Sequence, residues 1–157
     1  MNPRLYLETT IPSYLVARRS RDLRLAADQE TTEEWWATRR KDFDLFVSEA
    51  VLEEVSRGDA GFAAARLAAL RGLPVLGDSP MAAQVTKRLL AEGIIPWVAA
   101  DDATHLGLAA AHQMDFLLTW NCRHLANPFV LRQLRVLMGA RGLTLPEVCT
   151  PIELEAD

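Results

Sequence analysis

At 157 residues the chain has the length of one domain, a size at which roughly 70% of the unfolded surface can be buried. Half of its residues are hydrophobic and 24% are charged, the balance of an ordinary soluble globular protein. A net charge of −4 excludes a general attraction to nucleic acid or to anionic membranes, so a nucleic-acid partner needs local basic patches.

Arg4–Glu8 reads as a first strand, with Glu8 at its carboxyl end and the hydroxyl-rich turn Thr9-Thr10-Ile11-Pro12 after it. Pro12 suits the first turn of a helix over Ser13–Ala17. The basic run Arg18-Arg19-Ser20-Arg21, with Arg24, interrupts that helix, and a second is expected over Leu25–Thr38. Arg39-Arg40-Lys41 follows as another basic patch. Phe43–Val47 is a second strand, and Ser48 is a good N-cap for the helix Glu49–Arg57, which Gly58 stops. A helix over Phe62–Leu70 and a short strand over Leu73–Leu76 come next. Ser79-Pro80 opens a helix over Met81–Glu92.

Asp101 and Asp102 then stand at a helix start, with Ala103, Leu106, Gly107 and Ala110 at helical spacing. Small residues along this helix would let it approach a neighbour closely. Phe116-Leu117-Leu118 is short and apolar enough for a strand buried on both faces, and it ends in Thr119-Trp120-Asn121. A helix near Pro128–Met138 and a last short strand near Leu145–Val148 complete the chain. Strands alternating with helices imply a mostly parallel sheet covered on both faces, in one domain spanning residues 1–157. In such sheets the carboxyl edge binds ligands.

Glu8, Glu54, Asp102 and Asn121 all fall at that edge or on a helix beside it. Converging oxygen ligands suit Mg²⁺ or Mn²⁺, which polarises a phosphoryl oxygen and activates water. Plainer readings stand beside this one. Asp102 could be only an N-cap. Glu53 or Glu54 could pair with Arg57 on a solvated face, and Asn121 could be a turn residue. Glu8 is hardest to explain plainly, because a carboxylate ending a buried strand needs a partner. His105, His112, His124 and Cys122 fit no zinc spacing, so structural or surface histidines are expected. Trp35 and Trp36 could stack on bases, but core or interface packing is the more usual role. The cysteines, Cys122 and Cys149, match no redox motif. With no signal-peptide pattern and no membrane-length apolar run, the expected setting is the cytoplasm.

Together these segments resemble the PIN-domain family, in its VapC-like branch of toxin–antitoxin ribonucleases. Leu5-Tyr6-Leu7-Glu8-Thr9-Thr10 is similar to the opening strand and first acid. Ser48–Val55 is similar to the helix carrying the second, Glu54. Asp102-Ala103-Thr104-His105 matches the third, and Leu117-Leu118-Thr119-Trp120-Asn121 the fourth. Two departures stand out: Glu8 replaces the usual Asp, and Asn121 replaces a frequent Asp and brings no charge.

The resemblance implies a three-layer α/β/α sandwich with four or five mostly parallel strands, and Mg²⁺- or Mn²⁺-dependent RNA cleavage that leaves a 5′-phosphate. It implies metal ligation by Glu8, Asp102 and Glu54, with Asn121 orienting a water. Thr9 or Thr10 would hold phosphate or water, and Asp101 is the alternative to Asp102. Apart from the resemblance, the arginine runs, with Arg18, Arg19, Arg21, Arg39 and Arg40, could be a solvated face or, from their chain position near Glu8, could contact RNA phosphates. A small antitoxin and a homodimer are the partners the resemblance implies. The alternatives are a PIN-like module that holds RNA or a protein without cutting, and a metal-dependent phosphatase.

Overall fold

The computed structural model describes residues 1–155. Among them five short strands make one sheet in the order β3-β2-β1-β4-β5, with every neighbouring pair parallel. They are β1 (Arg4–Leu7), β2 (Asp44–Ser48), β3 (Val75–Leu76), β4 (Phe116–Leu118) and β5 (Glu147–Cys149). Tyr6, in the central strand, is in register with Phe46 on one side and Leu117 on the other. Leu5, Tyr6 and Leu7 point alternately to the two faces, yet none has any exposed surface. Helices therefore cover both faces, as the unbroken apolar runs of the strands require.

α1 (Thr10–Val16) and α2 (Leu23–Thr38) connect β1 to β2, and α3 (Glu49–Val55) and α4 (Ala60–Ala69) connect β2 to β3. α5 (Pro80–Ala91) and α6 (Ala100–Ala111) lead from β3 to β4, and α7 (Pro128–Gly139) leads from β4 to β5. Side chains of Asp22, Ser48, Asp59, Ser79 and Asn127 accept the first backbone N–H groups of α2, α3, α4, α5 and α7. The first helix begins at Thr10, earlier than Pro12 suggests. Proline tolerates any place in a first turn, where its missing N–H has no intrahelical partner to lose. α2 likewise starts before Leu25, because Asp22 caps it through Arg24 and Leu25 N–H.

α5 and α6 pack with little space between them. A Cβ on Gly107 would collide with Thr86 Oγ1 and lie 2.8 Å from the Ala82 carbonyl. Trp35 is wholly buried and packs on Phe43, so it belongs to the core and is not available to bases. No helix among the described residues is long and apolar enough to cross a membrane.

The chain builds β2 and β3 on one side of β1, then returns to build β4 and β5 on the other. The crevice between the carboxyl ends of β1 and β4 is thus the topological switch point, where open α/β sheets bind ligands. Glu8 follows β1 and Thr119 follows β4 across this crevice.

Candidate metal centre

Glu8 sits in the crevice with 4% of its surface exposed. Burial at that level needs compensation, and three donors converge on one carboxylate oxygen. Oε2 accepts the Thr10 N–H at 3.0 Å, the Thr10 hydroxyl at 2.5 Å and the Thr119 hydroxyl at 2.8 Å. Among the described residues no hydrogen bond goes to Oε1. Thr10 Oγ1 also accepts the Trp120 N–H at 2.9 Å. Its single proton is therefore spent on orienting Glu8, and Thr10 does not serve as the free phosphate donor the sequence reading allowed. Thr9 is different: its Oγ1 is buried and makes no hydrogen bond.

Glu54 enters from α3, which Ser48 caps at the end of β2. Its Oε1 lies 2.7 Å from His105 Nε2, and the imidazole has no exposed surface. On the ring's other side, Nδ1 is 2.6 Å from the Tyr6 hydroxyl, itself 2.7 Å from Ser48 Oγ. Burial alone would raise the pKa of Glu54, but the His105 imidazole, with smaller help from the nearby Thr9 hydroxyl and Arg57, holds it below the ordinary carboxylate value. Burial likewise works against a charged His105. The hydrogen bond to Glu54 and the negative field of Glu8, Glu54 and Asp102 outweigh it and raise its pKa. Both shifts describe a buried ion pair. Tyr6 is pushed upward by its burial and remains a neutral hydroxyl.

Asp102 occupies the first turn of α6 without capping it, since Ala99 is the N-cap and no side chain bonds there. The plain N-cap reading therefore does not hold. Its Oδ2 lies 3.2 Å from His124 Nδ1, with both side chains about one-fifth exposed (17% and 22%). Asp101 turns outward and is 3.6 Å from Arg57. Asn121 is the turn residue the sequence allowed, its Oδ1 accepting the Arg123 and His124 N–H groups at 3.1 and 3.0 Å. With that oxygen committed to two backbone donors, Asn121 shapes the loop carrying His124.

The basic residues divide. Arg18, Arg19 and Arg21 follow α1, which leaves the carboxyl edge and packs Tyr14 on Trp120 there at 5.8 Å. Arg18 lies 5.9 Å from the Phe62 ring, Arg19 pairs with Glu33 at 2.9 Å, and Arg21 is exposed. Arg39 and Arg40 sit just before β2, at the opposite, amino edge. The neighbouring Lys41 carbonyl meets Asn2 ahead of β1, Arg39 pairs with Asp42, and Arg40 covers the Trp36 ring at 4.4 Å. The parallel topology thus keeps these two arginines away from the acidic crevice.

One carboxylate oxygen each from Glu8 and Glu54, with a ring nitrogen of His105, lie within 4.8 Å of one another. Two carboxylates, an imidazole and an orphaned buried hydroxyl make a donor set that fits a divalent ion. His105 was expected to be a structural or surface histidine, and Tyr6 and Thr119 carried no functional expectation. A histidine inside the buried run Ala103–Ala110 was the available signal, because such a ring needs a polar partner.

No family model matches the chain, and no curated protein matches it. Among solved structures, the chain matches one from VapBC2 of Rickettsia felis, determined bound to a DNA fragment from the promoter, with a TM-score of 0.58. The two share a fold. The match covers 93% of this chain and 97% of the other at 16% identity, so the likeness is one of architecture. It agrees with the PIN-like α/β fold and its all-parallel sheet.

Proposed function

We propose that the crevice between β1 and β4 is the active site of a metal-dependent endoribonuclease. The observation that carries this reading is the meeting of Glu8, Glu54 and His105 donors within 4.8 Å at the switch point of a fold shared with a toxin–antitoxin protein. Glu8 and Glu54 would hold the ion, and Asp102, which lies outside that three-donor group one turn before His105 on α6, would add its charge. A divalent ion bound there supplies Lewis acidity toward a phosphoryl oxygen and activation of water.

The rest is work for the chain itself. Thr10 and Thr119 fix the Glu8 carboxylate so that one oxygen stays turned to a single place. Thr9 offers an uncommitted hydroxyl to a phosphate or water. Arg18, Arg19 and Arg21, exposed after α1, would contact RNA, and such guanidinium groups favour a polymeric phosphate over a small ester. In the reaction, water adds to phosphorus and the P–O3′ bond breaks. The 3′-oxygen takes a proton as it leaves, and the downstream fragment keeps its 5′-phosphate. By analogy with the VapBC2 assembly a small antitoxin would be the partner, and the family resemblance adds an antitoxin segment over this crevice and a homodimer.

The test is incubation of the purified protein with structured RNA and with a small phosphate ester, with Mn²⁺, with Mg²⁺ and with chelator, beside Glu8→Gln. Metal-dependent RNA cuts that disappear in the variant are expected. RNA retained without cuts would make the chain a binding module, and ester hydrolysis alone would make it a phosphatase.

A further inference from the structure

A purely carboxylate centre has no use for the imidazole of His105, yet the fold invests several buried residues in aiming it. Ser48 Oγ accepts the Val51 N–H at 3.2 Å and lies 2.7 Å from the Tyr6 hydroxyl. When Tyr6 donates its proton to Ser48, its oxygen accepts from His105 Nδ1–H at 2.6 Å. That polarity keeps a proton on Nδ1 and aims Nε2 at Glu54 Oε1, 2.7 Å away, where a proton bridges the two in the ion pair and a bound cation would take its place. Two acceptors at that distance repel unless a proton or a cation serves both. Glu8 lies in the same cluster with Oε1 uncommitted among the described residues, since its three donors all use Oε2. The buried Thr9 hydroxyl, which has no hydrogen bond of full geometry, lies beside the Glu54 carboxylate and adds an oxygen to the same cluster.

We propose that His105 Nε2 is itself a metal ligand, making a mixed imidazole–carboxylate centre that selects Mn²⁺ over Mg²⁺. The proposal rests on the metal-dependent reading above and sharpens it. Mg²⁺ takes oxygen donors and gives up its waters reluctantly. Imidazole nitrogen suits first-row transition ions, and Mn²⁺, although it stands lowest in that series and shares the liking of Mg²⁺ for oxygen donors, tolerates one nitrogen among them better than Mg²⁺ does. A histidine ligand characteristically donates its second ring N–H to an outer partner that holds the ring in place. Tyr6 is that partner here. His124 has no comparable support: its Nδ1 faces Asp102 at 3.2 Å on a partly exposed loop.

The test is pulsed electron paramagnetic resonance of the untagged full chain with one equivalent of Mn²⁺, alongside calorimetric titration with Mn²⁺ and with Mg²⁺. The chain has three histidines, so His112→Gln combined with His124→Gln leaves His105 as the only source of an imidazole signal. We expect nitrogen modulation that persists in this double variant and changes character on ¹⁵N-histidine labelling. We also expect Mn²⁺ to bind about tenfold or more tighter than Mg²⁺. His105→Asn should abolish the modulation, and the double variant decides the matter even if His105→Asn does not fold. Mn²⁺ bound without nitrogen modulation overturns the ligand assignment and leaves a metal-dependent nuclease standing. Modulation lost in the double variant overturns it in favour of the other histidines. No Mn²⁺ binding at all overturns both this proposal and the metal-dependent reading.

Discussion

The carboxyl edge carries two carboxylate–imidazole pairs, Glu54 with His105 and Asp102 with His124, built in different ways. In the first, the ring has no exposed surface, the contact is 2.7 Å, and Tyr6 and Ser48 back the far nitrogen. In the second, the contact is 3.2 Å and both partners are partly open to solvent. Water can replace the second interaction and cannot replace the first. A buried polar pair left half-made costs its full desolvation penalty, whereas an exposed one is worth little. The difference separates the demands of the fold from those of the chemistry, because α6 carries a member of each pair one turn apart.

The sharpest way to break that comparison is to neutralise the acid in each. Glu54→Gln and Asp102→Asn should each reduce metal-dependent RNA cleavage by about two orders of magnitude, since each removes a negative oxygen from the proposed ion's surroundings. Their stabilities should diverge. In chelator, Glu54→Gln should cost about 2 kcal/mol in urea unfolding, because it strips the charge partner from a ring shut away from water. Asp102→Asn should cost less than about 1 kcal/mol. Equal losses of stability would mean that burial does not distinguish the pairs.

Next in size is the support behind His105. Tyr6→Phe keeps the ring in the core but removes the oxygen between His105 Nδ1 and Ser48 Oγ. One buried nitrogen then lacks a partner, at a cost of about 1–3 kcal/mol. A urea midpoint equal to that of the parent would show that the hydroxyl chain does not hold the ring.

Tyr6 also marks where the sequence stopped being readable. The parallel sheet was legible because Leu5–Leu7 and Phe116–Leu118 are short apolar runs bounded by turn and cap residues, a local signal. Glu8 was legible for the same reason, as a charge that ends a buried strand. The order of the strands was not, and it is the order that sets Thr119 of one strand end against Glu8 of another. His105 was obscured because its spacing from the other histidines fits no zinc motif, which suggested a structural or surface ring. In the fold, His112 closes α6 on the Gly77 carbonyl, while His105 is drawn inward by Tyr6 and Glu54. Asn121 and Arg39-Arg40 show the converse: residue type suggested function, but the tertiary placement put the Asn121 oxygen on a turn and the arginines at the far edge.

A smaller effect tests the charge state of the buried pair in metal-free protein. Glu54 has a lowered pKa, so its contribution to stability is present above the ordinary carboxylate value of 4.5 and is lost as pH falls through the lower folded value. His105 has a raised pKa from an ordinary 6.5, so its contribution is complete below that value and fades as pH rises through the higher folded one. Together they stabilise the fold most between 4.5 and 6.5. Urea midpoints measured in chelator from about pH 4 to about pH 9 should show this maximum. Glu54→Gln should flatten it. Stability that climbs steadily from 6.5 upward would remove the ion pair from consideration.

The smallest expected effect concerns His124. If this imidazole only clips the Asn121 turn to α6, His124→Gln can replace it at little cost, because glutamine still reaches toward Asp102 and water fills the remainder. The change in stability should stay within about 0.5 kcal/mol, and Mn²⁺ affinity should stay within about twofold of the parent while Glu54→Gln and Asp102→Asn lower it clearly. Asp102 would then matter for its charge and His124 only for the path of a loop. A variant at His124 that lost the ion as completely as Glu54→Gln would erase the distinction between the pairs and make both imidazoles parts of one centre.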